Sequence, residues 1–576
     1  MFEFSLLAFA LASTNGITAD VRGEDIFPET TFAVAQAQNV EALLDRVGKS
    51  RMWQGLGDGE SLEEWMQTLT DDMATEYDLK PDQVGLPAYL GLSAYVSFNE
   101  DLGIEVPAYM IYVDFGEHED MAEAVFEQRM QEMTTDAAAR FEREEMRGRE
   151  VVVFESDLEL PNLDEFTDGA GMMMPVGGDM DFVNESLSSV YMIRDKAMIL
   201  IGSEPIALDD ALSIIDGGKS KVLADSDQYQ SLMDMIPEGS RDLNAMILTG
   251  QLQPMIAPLV AGPMAAGVMP IVLEVFGDVQ GYGFWGDFAN GSNVMELGVG
   301  MLMDDERRGL MKLVDVSRPV SDVPNFVPAS ALSYGRIDFD FKNVVPTIRE
   351  ILGSLPEGEA QQIEPMFEQF APMIGGGFST LGPEIHVFTV ETDSKFTPTR
   401  TTIAIPTSDA ESLEQLFAMM APAAGLMPRD FNGETIYADP LDEFSQMAIG
   451  IGAGNLVIGQ SEGVEAVLRS MGQKDLPKMA DTPSVRSVTG TLPSGELMGW
   501  GVIDPKQILN EEMMMSLMPM MLEMTEDFAD MDERMPMMLD MAERNDMAKM
   551  LGPGWWYMKR TDLGMVFRAG VLESGD

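Results

Sequence analysis

Gly459-Gln460-Ser461-Glu462-Gly463 has the spacing of a nucleophile elbow, the turn that lifts a serine hydroxyl above a sheet for acyl transfer. Such a serine needs an imidazole to take its proton. The chain holds two histidines, His118 and His386, and both precede Ser461, whereas that fold supplies its histidine after the serine. The matching stretch nearer the N-terminus, Gly202-Ser203-Glu204-Pro205, lacks the motif. Ser461 and Ser203 therefore read as helix N-caps, with Glu462 and Glu204 set against the positive end of the helix dipole. A serine hydrolase at Ser461 stands as a rival expectation.

Gly217-Gly218-Lys219-Ser220 looks like the end of a phosphate-binding loop. The upstream glycine is missing, because Ser213 occupies its place, and a helix precedes the motif instead of following it. The stretch reads as a glycine stop at a helix C-terminus, with a lysine near the negative dipole end. His386 falls in a strand-like run and His118 in the acidic turn Glu117-His118-Glu119-Asp120, neither with a second histidine at ligand spacing. Asp179 and Asp181 offer carboxylates without a twelve-residue calcium loop around them. With no cysteine there is no thiol nucleophile, thiolate metal site or disulfide. These patterns give no catalytic residue, no cofactor site and no metal site.

Methionine, at 50 residues, is the least ordinary choice. It concentrates in 511–550, where Met514, Met518, Met521, Met535 and Met538 recur near helical spacing opposite Glu523, Asp527 and Asp530. The plain expectation is a helical insertion whose apolar stripe packs on its own module, with methionine filling irregular gaps. The same five residues could instead form an adaptable surface for a hydrophobic, lipid-like ligand. Thioether capture of Cu(I) by Met513–Met515, Met518–Met521 and Met535–Met538 is a further alternative.

Charge excludes more than the motifs do. The chain of 576 residues sets 97 Asp and Glu against 36 Lys and Arg, a formal net charge of −61. Such a surface repels phosphate backbones, so nucleic acid is not an expected partner. The acids are spread along the chain, as in a solvated shell adapted to salt. Residues 1–26 read as an export signal and leader. The run Met1–Ala12 is apolar and ends in Ala10-Leu11-Ala12, although Glu3 stands where a basic residue is usual. The uncharged stretch Pro254–Leu273 is long enough to span a bilayer, but its four prolines favour a bent helical hairpin, so no transmembrane anchor is expected.

The elements repeat in order, which predicts an internal duplication. Phe27–Val34 opens one copy and Val327–Tyr334 the other. Strand and helix Val106–Phe115 and Met121–Met133 answer to Pro398–Pro406 and Ala410–Met420. The glycine turn Arg147-Gly148 answers to Asn432-Gly433, and Met198–Glu204 answers to Asn455–Glu462. Leu223–Ser226 answers to Met479–Thr482, and Gly283-Phe284-Trp285 to Gly554-Trp555-Trp556. The predicted fold is α+β: two tandem diverged copies of one module, with largely antiparallel sheets packed by amphipathic helices. The first module spans 27–310, a linker 311–326, and the second 327–576 with its Met-rich insertion. Only the first copy carries the Gly-, Met- and Asp-rich loop 161–185.

FPETTFAVAQAQNVEALLDRV, ADSDQYQSLMDMI and LVIGQSEGVEAVLRSM resemble a family of uncharacterised bacterial extracytoplasmic proteins with a duplicated α+β domain of unknown function. The resemblance implies export and duplication, and transfers no activity. The expectation is a non-enzymatic extracytoplasmic (periplasmic or secreted) binding or scaffold protein, with a hydrophobic ligand or a protein as partner.

Overall fold

A computed structural model describes residues 21–38, 40–49, 62–99, 104–135, 140–155, 189–251, 279–288, 292–304, 307–354, 357–391, 399–439, 447–471, 476–504 and 551–574. The chain divides into two units, the second beginning in the main at Met303. The N-terminal residues of the expected export signal, the loop 161–185, the stretch Pro254–Leu273 and the Met-rich insertion with Met514, Met518, Met521, Met535 and Met538 lie outside the described residues.

Unit 1 contains β1 (Thr31–Gln38), β2 (Tyr89–Asn99), β3 (Ile104–Asp114), β4 (Arg140–Met146), β5 (Arg149–Glu155), β6 (Ser189–Asp195), β7 (Met198–Gly202), β8 (Leu243–Leu248), β9 (Val279–Phe288) and β10 (Asn293–Met303). Its helices are α1 (Val40–Lys49), α2 (Leu62–Glu76), α3 (Glu119–Thr135), α4 (Pro205–Ile215) and α5 (Asp227–Met235). Antiparallel pairing orders the sheet β4-β5-β6-β7-β3-β2-β1-β8-β9-β10. One sheet face is apolar by strand alternation: Ile111 and Val113 on β3, Val152 and Phe154 on β5, Ile199 and Ile201 on β7. The stripe Met121, Ala122, Val125, Phe126 and Met130 of α3 closes over it. The connection from α2 to β2 buries Val84 and Leu86 in the same core.

Unit 2 contains β11 (Ala331–Asp338), β12 (Glu384–Glu391), β13 (Thr399–Pro406), β14 (Met427–Phe431), β15 (Glu434–Ala438), β16 (Met447–Gly452), β17 (Asn455–Gln460), β18 (Gly499–Ile503), β19 (Leu551–Thr561) and β20 (Gly564–Glu573). Its helices are α6 (Val344–Ser354), α7 (Glu357–Ser379), α8 (Ala410–Met420), α9 (Ser461–Met471) and α10 (Pro483–Thr491). The sheet runs β14-β15-β16-β17-β13-β12-β11-β18-β19-β20, antiparallel throughout. Val464, Val467 and Leu468 of α9 and Val485 and Val488 of α10 pack on Ala404, Ile436, Val457, Trp500 and Trp555. The expected mixed α+β architecture with a large antiparallel sheet is what the chain adopts. Residues 311–326 hold a short helix, Met311–Val314, and bury Leu313 and Val323.

The hairpin turns follow from residue chemistry. Arg147-Gly148 and Asn432-Gly433 both adopt positive φ, 51° and 78° in the first and 56° and 88° in the second. Two successive left-handed residues match the twist of a two-residue hairpin, and glycine takes the second place without a Cβ penalty.

Candidate functional site

β11 carries Tyr334, Arg336 and Asp338 at alternate positions, so all three side chains leave the same face of the strand. Arg336 and Asp338 are completely buried. The Arg336 guanidinium donates to Asp338 Oδ2 at 3.0 Å, to the carbonyls of Pro319 at 2.8 Å and of Arg318 and Leu497 at 3.3 Å, and to Ser321 Oγ at 3.0 Å. A buried guanidinium spread over this many acceptors ties the strap 318–321 to the sheet. Asp338 Oδ1 and Arg336 Nε have no hydrogen-bond partner. Burial pushes the Asp338 carboxyl up to about 6, against the pull of Arg336.

His386 sits opposite Arg336 on β12. Its Nδ1 is 3.0 Å from the Tyr334 hydroxyl and its Nε2 3.5 Å from Glu384. Burial, with the Arg336 charge adding to it, lowers its pKa to about 4, so the ring is neutral near pH 7. In unit 1, β1 carries Gln36 in an uncharged network. Gln36 Oε1 accepts from the Tyr89 hydroxyl at 2.6 Å, and its Nε2 donates to the Tyr229 hydroxyl and Asn244 Oδ1 at 3.1 Å each. Gly91 lies opposite Gln36, and a Cβ there would come within 2.8 Å of both Phe27 and Tyr89, so only glycine leaves Tyr89 room to reach Gln36.

At one end of unit 2 the strap, the β11–α6 connection, the α7–β12 turn and the β13–α8 turn surround an open cleft of about 560 Å³. Val316, Phe339, Phe341, Leu381, Pro383 and Pro406 give it apolar walls, while Arg318, Asp340 and Lys342 bring charge. The Phe339 and Phe341 rings are 4.7 Å apart, and Phe341 lies against Phe378 at 6.0 Å. The lining hydroxyls already donate to main-chain carbonyls. Ser379 Oγ reaches Gly376 at 2.8 Å, Thr380 Oγ1 reaches Gly377 at 2.7 Å, and Thr407 Oγ1 and Ser408 Oγ reach Thr380 at 3.3 and 3.0 Å.

Ser461 is the first residue of α9, and its Oγ accepts from Arg429 at 2.6 Å. The ring nitrogens of His386 face Tyr334 and Glu384, so no imidazole of unit 2 is presented to Ser461. His118 packs its ring over Gly85 in unit 1. The N-cap expected of Ser203 is corrected. Glu204 holds that position without a side-chain capping bond, and Ser203 Oγ accepts the Tyr109 amide at 3.0 Å. Pro205 at the first helical turn moves the boundary by one residue, and Tyr109 in the middle of β3 claims the hydroxyl. Beyond Gly217-Gly218 the glycine stop is present: Gly217 has φ 85° and Gly218 N–H bonds Ser213 O at 2.7 Å.

Among the described residues no cluster of three His, Asp or Glu side chains could hold a metal ion, and no helix is long and apolar enough to cross a membrane. Comparison with family models, curated proteins and solved structures gives no match. Sequence reasoning missed Arg318, Arg336, Asp338 and Lys342. The available signal was Tyr-x-Arg-x-Asp in a strand, which puts two charges on the face of a buried tyrosine.

Proposed function

We propose that the chain is a non-enzymatic extracytoplasmic binding protein or scaffold, built from two diverged copies of one module, with the cleft of unit 2 as its binding site. The cleft carries the proposal: its volume falls in the range of small-molecule sites, and a few polar groups converge on apolar walls. Its hydroxyls are engaged with carbonyls and none is poised as a nucleophile. In favour of duplication, adding ten to each strand number of unit 1 reproduces the strand order of unit 2, and α3 and α8 follow β3 and β13 alike. Export is supported by the apolar N-terminal run and by the family resemblance.

1-Naphthylmethanol, an uncharged aromatic, should bind saturably at one site, followed by its fluorescence. Ser379→Trp, which puts an indole on the cleft wall, should abolish that binding at unchanged melting temperature. Stoichiometric labelling of Ser461 by a fluorophosphonate would instead support the hydrolase alternative.

A further inference from the structure

We infer that the cleft of unit 2 takes a small organic carboxylate, its apolar body against Phe339, Phe341 and Leu381 and its charge held by Arg318 and Lys342; this rests on the binding reading above. In a chain with 97 acidic and 36 basic residues, a cation has a surplus of carboxylates to pair with. Arg46, Arg149, Arg349 and Arg429 do so. Arg318 and Lys342 make no ion pair with any described residue, yet both line the same cleft. The carboxylates nearest them in sequence are engaged elsewhere: Asp340, beside Lys342, accepts the Lys342 amide at 3.2 Å through Oδ1 and Asn343 Nδ2 at 2.6 Å through Oδ2, and Asp315, nearest Arg318, pairs with Arg560 at 2.9 Å.

Arg318 also stands on prepared backbone. Its carbonyl and that of Pro319 accept from the buried Arg336, and the pair Arg318–Pro319 forms a two-residue ladder with Glu496–Leu497. A guanidinium on a fixed main chain loses less freedom when it closes on a carboxylate. The field of −61 charges opposes every negative charge brought in, so a dianion pays twice what a monoanion does. That favours a carboxylate over a phosphate monoester. The cleft is lined by unit 2 residues, and the connections that form it differ from those described in unit 1. There β11 and α6 are separated by Phe339–Asn343, which supplies Phe339, Phe341 and Lys342, and the turn from α7 to β12 is short. In unit 1, β1 runs almost directly into α1, and the longer connection from α2 to β2 buries Val84 and Leu86 in the core.

Three ligands with one aromatic body test this on the full-length chain: 1-naphthylmethanol, 1-naphthoate and 1-naphthyl phosphate, titrated at pH 7.5 in low salt. Naphthoate should bind about tenfold more tightly than the alcohol, and more tightly than the phosphate. Arg318→Gln and Lys342→Gln should each bring naphthoate toward the alcohol's affinity and leave the alcohol within about twofold. Equal affinities for alcohol and naphthoate, or a naphthoate affinity unmoved by both substitutions, would overturn the carboxylate assignment and leave the binding protein standing. Tighter binding of the phosphate would overturn it in favour of a phosphate ligand. Failure of all three ligands to bind would remove the binding reading itself. Circular dichroism melts of the two variants separate lost contact from lost fold.

Discussion

Asp338 and His386 are two titrating groups on facing strands whose protons move in opposite senses. Asp338 binds its proton more tightly folded than unfolded, about 6 against about 3.9, so ionising it costs the folded state stability as pH rises through that window. His386 binds its proton less tightly, about 4 against about 6.5, so its contribution is intact above pH 6.5 and lost as pH falls toward 4. Each amounts to about 3 kcal/mol, and in the intact chain the two slopes offset one another. Arg336, Arg318, Glu384 and Tyr334 are the charged and titratable neighbours that stay in place. Urea melts from pH 4 to 7 should show Asp338→Asn losing stability relative to the intact chain as pH drops. His386→Asn should lose it as pH climbs from 4 to 6. Parallel curves for both would mean that neither proton is coupled to folding. At this scale the sequence was poorly legible: His386 carried no partner at ligand spacing, and Arg336 and Asp338 look like ordinary surface charges until β11 is known to be buried.

Elements were easier to read, because period and turn chemistry are local. β13, α8 and β17 fall close to the expected stretches Pro398–Pro406, Ala410–Met420 and Asn455–Glu462, with α9 following, and the structure adds an Asp409 cap to α8, its Oδ1 accepting the Ser412 amide. Sequence reading names no helix over Glu357–Ser379, where α7 forms with Pro365 and Pro372 inside it. Two glycine substitutions with opposite signs test the local account. Gly433→Ala forces a side chain into φ 88° where no atom lies within 4 Å, so the penalty is conformational, about 1 kcal/mol. Gly376 also has nothing within 4 Å but lies inside α7, where alanine should stabilise by about 0.5–1 kcal/mol. Thermal melts of the two variants should move in opposite directions, and a shared direction would refute the backbone argument.

On the scale of the whole molecule the −61 charge dominates. Pairs such as Arg147 with Asp209 and Lys312 with Glu350 are partly exposed, and each offsets little of the repulsion. The melting temperature should therefore rise between low salt and about 1 M NaCl, as the Debye length shrinks to about 3 Å. A flat or falling response would show the acids to be locally compensated. Order within each sheet was only partly legible, since hairpin neighbours such as β4 and β5 announce themselves while the pairing of β1 with β8 joins distant residues. The outer strands have a consequence for life at high concentration. β4 and β14 each pair on one side only among the described residues, and their side chains are nearly all exposed. A bare strand is a template for another chain, but β4 presents Glu142, Arg143, Glu144 and Glu145, and β14 presents Pro428, Arg429 and Asp430. A second copy docking there would set like charges in register and meet a proline that cannot donate. Crowded molecules of this protein should consequently resist growing strand by strand into fibrils.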